Sequence, residues 1–290
     1  MATAFGVAIV HDDARYAAQA GQAAFAEVDR LEQELSRYIE SSDVSRISRL
    51  QSGESTRVGL AAFECLRVAA RIHRETGGAF DVTVGPLVDC WRAADGTDPD
   101  PARLAEVRRH VGMHLIELDP DTFRVGVKGA PIQLDLGGIG KGYALDRAAE
   151  ILDEWGIEGA LLHGGESTAL AIGRPPGGAG WRVGVGGSVY RSEAGFALNL
   201  RDGAVSGSGI EKKGRHVFDP RTGRPAAGNL AAWARCPSAA VADALSTAFM
   251  VMSAAEVEQY CTAHPGHAGM VLPEEGAALK RFGLWERVDG

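Results

Sequence analysis

A glycine-rich stretch with a single lysine, LDLGGIGKGYALDRAAEIL at residues 134–152, has the residue types that bind phosphate groups. Its glycines allow backbone N–H groups to come close to an anion. The helix expected to begin near Lys141 would add the positive end of its dipole, and the lysine would add a full charge. A tight turn made only for packing is the alternative, but this combination favours an anion site.

The two best-known phosphate loops do not match this stretch. The loop of nucleoside triphosphatases needs Ser or Thr directly after its lysine, whereas Gly142 follows Lys141. In the dinucleotide-binding fingerprint, Gly138 and Gly140 would fit, but Tyr143 occupies the place of the last glycine. The sequence therefore indicates an anion site of another kind.

An acid and a hydroxyl lie four residues apart in PSAAVADALSTAFMVM, residues 237–252. Asp243 and Thr247 would share one face of a predicted helix whose other residues are mostly apolar. A carboxylate on such a helix is costly to bury without a partner. Mg²⁺ prefers hard oxygen ligands and bridges phosphates, so a metal site is one interpretation. An exposed acid, with the threonine bonded to its own backbone, is the other.

The stretch RHVFDPRTGRP, residues 215–225, places His216 just before a turn at 219–223. Imidazole is the side chain best suited to accept a proton near neutral pH. The chain has 8 histidines in all, so His216 alone would be weak evidence. A structural or surface histidine is the alternative interpretation.

The stretch TGGAFDVTVGPL, residues 76–87, contains an aromatic ring next to an acid. Phe80 could stack on a flat ring while Asp81 accepts a hydrogen bond from the edge of that ring. The alternative is a core aromatic residue beside an acid that forms a turn. The residues alone do not decide between these two interpretations.

The composition limits the class of protein. With 290 residues, 45% of them hydrophobic, the chain can build a well-packed core. The net charge of −8 and the lack of a basic stripe argue against nucleic acid as a partner. The apolar runs are far shorter than the roughly 18 residues that span a bilayer, and residues 1–12 do not resemble a secretion signal. We therefore expect a cytoplasmic protein with free thiols and no integral membrane segment.

The hydrophobic periodicity predicts how these motifs are positioned. Apolar residues recur at helical spacing over 14–38, 59–76, 141–155 and 238–253, with a short helix near 104–111. From residue 114 onward strands dominate, separated by Gly and Pro turns, and IQLDL at 132–136 reads as one of them. Short turns favour antiparallel pairing, and regular βαβ alternation is absent. We predict an α+β fold of mainly antiparallel sheets with helices packed on their faces.

Seven stretches of the chain, in the order in which they occur, resemble the ApbE family, the FAD:protein FMN transferases or flavin transferases. The resemblance covers nearly the whole chain and implies that residues 1–290 form one domain of two lobes with the FAD site between them. The stretches are MATAF, LSRYIESSDVSRIS, TGGAFDVTVGPL, LDLGGIGKGYALDRA, GALLHGGESTALAIG, HVFDPRTGRP and PSAAVADALSTA.

The resemblance implies a specific reaction. Family members use a divalent metal, usually Mg²⁺, to split the pyrophosphate of FAD. They transfer FMN to a threonine or serine hydroxyl of a target flavoprotein and release AMP. Some members hydrolyse FAD to FMN and AMP instead. The stretch 206–216 is shorter than usual in the family and lacks its tyrosine, so FAD pyrophosphatase activity and FAD binding without catalysis stay open as alternatives.

The resemblance also assigns roles to residues. It implies a base at His216 and metal ligands at the Gly140 carbonyl, Asp243 and Thr247, with Ser246 adjacent. Lys141 would neutralise charge on the phosphate oxygens of FAD. The flavin-nucleotide contacts implied by the resemblance are Met1, Tyr38, Ala79, Phe80, Asp81, Gly137, Tyr143 and Val217.

Overall fold

A seven-stranded sheet lies at the centre of the protein in this computed structural model, which describes residues 3–186, 196–210, 217–273 and 278–285. The helices in these ranges are α1 (Ala14–Leu35), α2 (Asp43–Ile47), α3 (Leu60–Glu75), α4 (Gly85–Ala93), α5 (Pro101–Arg108), α6 (Gly140–Glu154), α7 (Ala239–Val251) and α8 (Ala254–Ala263). The strands are β1 (Phe5–Ile9), β2 (Ser55–Arg57), β3 (Ile116–Asp119), β4 (Arg124–Val127), β5 (Ala160–Gly164), β6 (Thr168–Ile172), β7 (Trp181–Val185), β8 (Phe196–Leu200), β9 (Gly203–Gly209), β10 (Phe218–Asp219), β11 (Arg224–Pro225), β12 (Asn229–Cys236), β13 (Ala268–Pro273) and β14 (Lys280–Phe282).

The large sheet has the strand order β1-β5-β6-β9-β12-β13-β14, and each neighbouring pair runs antiparallel. Its inner strands β9 and β12 pair from Ala231 opposite Gly209 to Cys236 opposite Ala204. The other described strands form the sheet β2-β4-β3 and two hairpins, β7-β8 and β10-β11. The predicted α+β fold with mainly antiparallel sheets is confirmed.

The two faces of the large sheet carry different cores. Alternate residues of a strand point to opposite faces, so Ala232 and Ala234 of β12 join the core around α7, while Ala231 and Trp233 pack with residues of the β7-β8 hairpin. Helix α7 lies on β9 and β12, and α6 packs between α7 and α1. In the described ranges, no helix combines the length and apolar character that crossing a bilayer requires.

Helices α6 and α7 meet in direct backbone contact. A Cβ atom added to Gly142 would lie 2.1 Å from the carbonyl oxygen of Ala239, so only glycine permits this approach. One turn further along α6, Asp146 accepts hydrogen bonds from Ser238 Oγ at 2.7 Å and from the backbone N–H groups of Ala239 and Ala240. The carboxylate thus caps the N-terminus of α7 and fixes the two helices together.

One predicted strand is wrong. The stretch IQLDL, residues 132–136, forms no strand, because its backbone N–H groups bond elsewhere: Leu134 donates to Ser48 Oγ at 3.0 Å and Asp135 donates to the Val82 carbonyl at 2.7 Å. The position beside β4 is taken by β2 instead. Alternating apolar residues predicted the burial of this segment but not its hydrogen-bond partners.

Several elements were not predicted. Strand β12 is rich in alanine, which has a low strand propensity, and its pairing is determined by β9 and β13. In α4 the pair Gly85-Pro86 looks like a turn, yet proline fits the first turn of a helix, where its missing N–H costs nothing. Helix α1 ends at Leu35 rather than near residue 38, because Ser36 is extended at φ −77° and ψ 123°.

The four cysteines are free, and Cys65, Cys236 and Cys261 are buried. Burial raises the pKa of Cys65 to about 12 and that of Cys261 to about 11. These thiols therefore stay protonated at neutral pH and behave as small apolar side chains.

Candidate functional site

A buried carboxylate joins the glycine-rich stretch to the helix that carries Asp243 and Thr247. Asp243 of α7 is 2% exposed, and Lys141 Nζ donates to its Oδ1 at 3.0 Å and to its Oδ2 at 3.2 Å. The backbone N–H of Gly142 also donates to Oδ2, and Ser206 Oγ donates to Oδ1 at 3.3 Å. The lysine of the glycine-rich stretch is thus the counter-ion of the acid on the apolar helix.

Hydroxyl groups surround this ion pair. Ser246 and Thr247 donate to the Asp243 carbonyl oxygen at 2.9 and 3.3 Å. Ser208 Oγ lies 2.9 Å from Ser246 Oγ and 3.5 Å from Thr247 Oγ1, where either atom could donate. The hydrogen bond from Thr247 to the backbone agrees with the interpretation of this helix that involves no metal. That interpretation also predicted an exposed acid, whereas Asp243 is buried and paired with Lys141.

The glycine turn, defined here as residues 137–140, lies against α7. A Cβ atom on Gly138 would be 2.9 Å from Thr247 Oγ1 and 3.2 Å from a ring carbon of Phe80. Lys141 Nζ also donates to the Gly137 carbonyl at 3.4 Å. The turn, the lysine and the acid–hydroxyl pair therefore share one site at the N-terminus of α6.

The atoms at this site suit a hard divalent cation. The side-chain oxygens are the carboxylate of Asp243 and the hydroxyls of Ser246 and Thr247 on α7. Gly140, whose carbonyl is the remaining predicted ligand, is the first residue of α6. Mg²⁺ commonly takes one or two protein oxygens and completes its shell with water and phosphate. Among the described residues, no group of three or more His, Cys, Asp and Glu side chains is placed to hold a metal ion. The bonded ammonium group of Lys141 indicates that the site stabilises positive charge.

The Asp81 carboxylate is engaged inside the protein. Its Oδ1 accepts from the N–H and Oγ1 of Thr83 at 2.8 and 2.6 Å, and its Oδ2 accepts from the Met113 N–H at 3.1 Å. His73 Nδ1 lies 3.2 Å from Oδ2, and this contact raises the pKa of His73. These partners favour the structural interpretation of Asp81, and its contact with a nucleotide stays a prediction. Ala79 and Phe80 are also buried.

The two tyrosines among the predicted contacts differ in access. Tyr38 is 79% exposed, whereas Tyr143 is 5% exposed, with its hydroxyl 3.4 Å from Glu64. Burial raises the pKa of Tyr143. Tyr38 borders an open groove of about 520 Å³ whose other lining residues include Arg37 and Gln133. Of the two rings, only that of Tyr38 is free to stack broadly on a ligand.

Two predicted site residues, Met1 and His216, lie outside the described residues, so their roles stay predictions. Val217, the residue after His216, is buried and accepts a hydrogen bond from the Ala226 N–H at 2.8 Å. This bond extends the pairing of β10 with β11.

Two groups of residues at this site were not predicted from the sequence. Ser206 and Ser208 are two apart in GAVSGSG, so they lie on the same face of β9, and both contact α7. Their spacing in the sequence could have indicated that the two hydroxyls share one face of a strand. Asp135 precedes the glycine turn, and its Oδ1 accepts from the Gly137 N–H at 2.8 Å. An aspartate two residues before a glycine is typical of such a turn.

Comparison with known proteins gives consistent matches. The model of the ApbE family matches residues 1–272. An FAD:protein FMN transferase of Salmonella typhimurium is 29% identical, over 97% of this chain and 85% of its own length. An FAD:protein FMN transferase of Vibrio cholerae is 31% identical, over 78% of this chain and 72% of its own length.

Solved structures match over almost the whole fold. The ApbE protein of Thermotoga maritima is 28% identical and superposes with a TM-score of 0.83, covering 97% of this chain and 94% of that one. The flavin transferase ApbE of Vibrio cholerae superposes with a TM-score of 0.85 at 24% identity, covering 99% of this chain and 94% of that one. This second likeness shows the fold.

We predict that Lys141→Met destabilises the ligand-free protein by about 3–5 kcal/mol, since it leaves a buried carboxylate without its counter-ion. The change can be measured by urea unfolding at neutral pH. The matched control is Lys128→Met, which removes an exposed ion pair with Glu117 and should cost less than about 1 kcal/mol. Equal effects of the two substitutions would show that the Lys141–Asp243 pair is not a structural requirement.

Proposed function

Because this chain belongs to the ApbE family, we propose that it transfers the FMN part of FAD to a threonine or serine hydroxyl of a target protein and releases AMP. The names of the relatives supply the donor, FAD, and the transferred group, FMN. The acceptor is then a flavoprotein with a Thr or Ser flavinylation site. The cytoplasmic location remains a prediction from the sequence.

The observation that carries the proposal is the shared site of the glycine turn and Asp243. Nucleotide diphosphates bind where glycines allow close approach of the backbone and where positive charge is concentrated at a helix N-terminus. Lys141 lies between Asp243 and the turn, within 3.0 Å of one and 3.4 Å of the other. A modest movement of its flexible side chain would bring the ammonium group from the carboxylate to a phosphate oxygen.

We infer that FAD lies between the two halves of the chain, with its diphosphate at the glycine turn. Tyr38 borders the open groove and would stack on the flavin or adenine ring, because aromatic faces offset-stack readily. Gly137 and Tyr143 would contact the nucleotide near the diphosphate, and Val217 would contact it from the β10-β11 hairpin. Met1 and the segment 79–81 complete the proposed contacts.

The residues at the site fit Mg²⁺ as the metal. Asp243, Thr247, Ser246 and the Gly140 carbonyl would hold it, and once bound it would supply charge to the phosphates as a Lewis acid. Lys141 would then be free to neutralise charge that develops on the leaving phosphate. The Asp146 cap and the Gly142 contact hold these donors on a rigid pair of helices.

The proposed reaction is a phosphoryl-type transfer with a simple balance. The acceptor oxygen forms a bond to the phosphorus on the FMN side of FAD, while the bond from that phosphorus to the bridging oxygen breaks. AMP leaves with the bridging oxygen, and the hydroxyl proton passes to the imidazole of His216. Water in place of the hydroxyl would give hydrolysis, so the site must favour the protein acceptor over water.

The proposal predicts AMP release from FAD that depends on Asp243 and on an acceptor. The protein is incubated with FAD, Mg²⁺ and a candidate peptide that contains threonine. A counterpart peptide without serine or threonine is tested in parallel. The release of AMP and the mass of the peptide are measured. Losing a residue that only supports a metal ligand typically costs roughly 10–100-fold in activity. Asp243 is proposed as a direct ligand, so Asp243→Ala should lower the rate of AMP release by more than this. The isosteric Thr247→Val should act in the same direction without leaving a buried charge unpaired.

The control for this assay is Asp29→Ala, which removes an exposed acid from α1 and should leave the rate unchanged. AMP release without peptide modification would replace transferase activity with FAD hydrolysis. Bound FAD with no AMP in the wild-type protein would leave only a binding function. Undiminished turnover in both Asp243→Ala and Thr247→Val would remove the metal assignment.

His216→Ala should slow FMN transfer by about 10²–10⁴-fold, the usual contribution of a general base, while FAD affinity stays close to that of the wild type. The rate is measured at saturating FAD, and affinity is measured by quenching of flavin fluorescence. His114→Ala, at an exposed histidine, serves as the control. A parallel loss of FAD affinity and rate would argue that His216 binds the nucleotide instead of accepting the proton.

A further inference from the structure

The carboxylate of Asp135 connects the glycine turn to a distant part of the chain. Its Oδ1 accepts from the Gly137 N–H at 2.8 Å, while its Oδ2 accepts from Nη1 of Arg37 at 2.7 Å. The backbone N–H of Asp135 is itself bonded to the Val82 carbonyl. The side chains of Arg37 and Asp135 are 11% and 22% exposed, so this link is largely shielded from water.

Arg37 is well suited to hold Asp135 in place. It follows the end of α1, and its Nη2 donates to both carboxylate oxygens of Asp89 in α4, at 3.2 and 3.1 Å. Burial lowers the pKa of Arg37, but the bonds to Asp135 and Asp89 outweigh this, so the pKa is raised overall. The planar guanidinium group can bond two carboxylates at once, which an ammonium group cannot do with the same geometry.

Arg37 also contacts a residue that the proposed function uses. Its guanidinium carbon lies 5.7 Å from the centre of the exposed Tyr38 ring, within cation–π range. The same side chain therefore touches Tyr38 on one side and, through Asp135, Gly137 on the other. These two proposed FAD contacts are about a hundred residues apart in the chain, and the Arg37–Asp135 pair connects them.

A glycine turn needs such support because glycine has little conformational preference of its own. A Cβ atom on Gly137 would lie 2.9 Å from Asp135 Oδ1, so the turn closes tightly over the carboxylate. Fixing Gly137 also fixes Gly138, which lies against Thr247, and Lys141, which bonds Asp243. A turn held in its binding shape loses less conformational entropy when a ligand binds.

We propose that Asp135 is a positioning residue that holds the glycine turn in its phosphate-binding shape, and that Arg37 anchors Asp135 for this task. The inference rests on the proposed function only in naming FAD as the ligand of the turn. A positioning role and charge repulsion predict opposite effects on FAD affinity when Asp135 is removed. By charge alone, removing a carboxylate near a diphosphate should tighten binding of the anion. A positioning role predicts weaker binding.

The test compares Asp135→Ala with Asp89→Ala. Both remove one carboxylate partner of Arg37, but only the first removes the bond to Gly137. We expect Asp135→Ala to raise the Kd for FAD about five- to tenfold, and to raise KM for FAD with little change in kcat, because the lost interaction serves binding rather than the transition state. Asp89 is 42% exposed, and its substitution should change the Kd less than about twofold.

A second readout uses the ligand-free protein. Hydrogen exchange of the backbone amides in peptides spanning 134–142 should be faster in Asp135→Ala and in Arg37→Gln than in wild type or Asp89→Ala. In this exchange measurement the double variant Arg37→Gln/Asp135→Ala should be no faster than Asp135→Ala alone, since Arg37 reaches the glycine turn through Asp135. Arg37→Lys should recover only part of the effect.

Unchanged or tighter FAD binding in Asp135→Ala, or unchanged exchange at 134–142, would overturn the proposal. Additive increases in exchange at 134–142 in the double variant would also overturn it, because Arg37 would then act on the turn by a route other than Asp135. A wild-type protein that fails to bind FAD would defeat the proposed function instead. In that case the exchange comparison, which needs no ligand, still decides whether Asp135 holds the turn.

Discussion

The structure of the site depends on one constraint: Asp243 is ionisable and almost completely buried on an apolar helix. A carboxylate in such a place needs positive charge and hydrogen-bond donors close by. Lys141, Gly142 N–H and Ser206 supply them in the ligand-free protein. Each of these partners comes from the glycine-rich stretch or from β9, so satisfying the acid brings the phosphate-binding turn, the helix and the sheet together.

The fold makes this arrangement rigid. Helix α7 is buried between the large sheet and α6, and the absence of a side chain at Gly142 lets the two helices touch. Asp146 closes the N-terminus of α7, and Asp135 closes the glycine turn. These two carboxylates fix the elements through bonds that do not involve Asp243. We therefore expect α6 and α7 to keep their contact when a cation takes the place of Lys141 at Asp243.

Part of the candidate site could be predicted because its residues lie in short contiguous motifs, and their chemical roles stay predictions. The glycine-rich stretch and the Asp243–Thr247 pair could be read from residue types and helical spacing, and the periodicity of α1, α3, α6 and α7 gave their approximate bounds. The missed features depend on contacts between distant segments. The Arg37–Asp135 link, the strand assignment of 229–236 and the buried bonds of Asp81 follow from tertiary packing, which one sequence does not display.

We propose that a divalent cation bound by Asp243 and Thr247 meets the diphosphate of FAD at the glycine turn. The most direct test is anomalous diffraction from crystals soaked with FAD and Mn²⁺ in place of Mg²⁺. The account predicts an anomalous peak within coordinating distance of the Asp243 carboxylate and the Thr247 hydroxyl, next to the two phosphates, with Lys141 moved away from Asp243. A bound FAD whose diphosphate lies elsewhere, or a Lys141–Asp243 pair that persists with no metal between them, would contradict it.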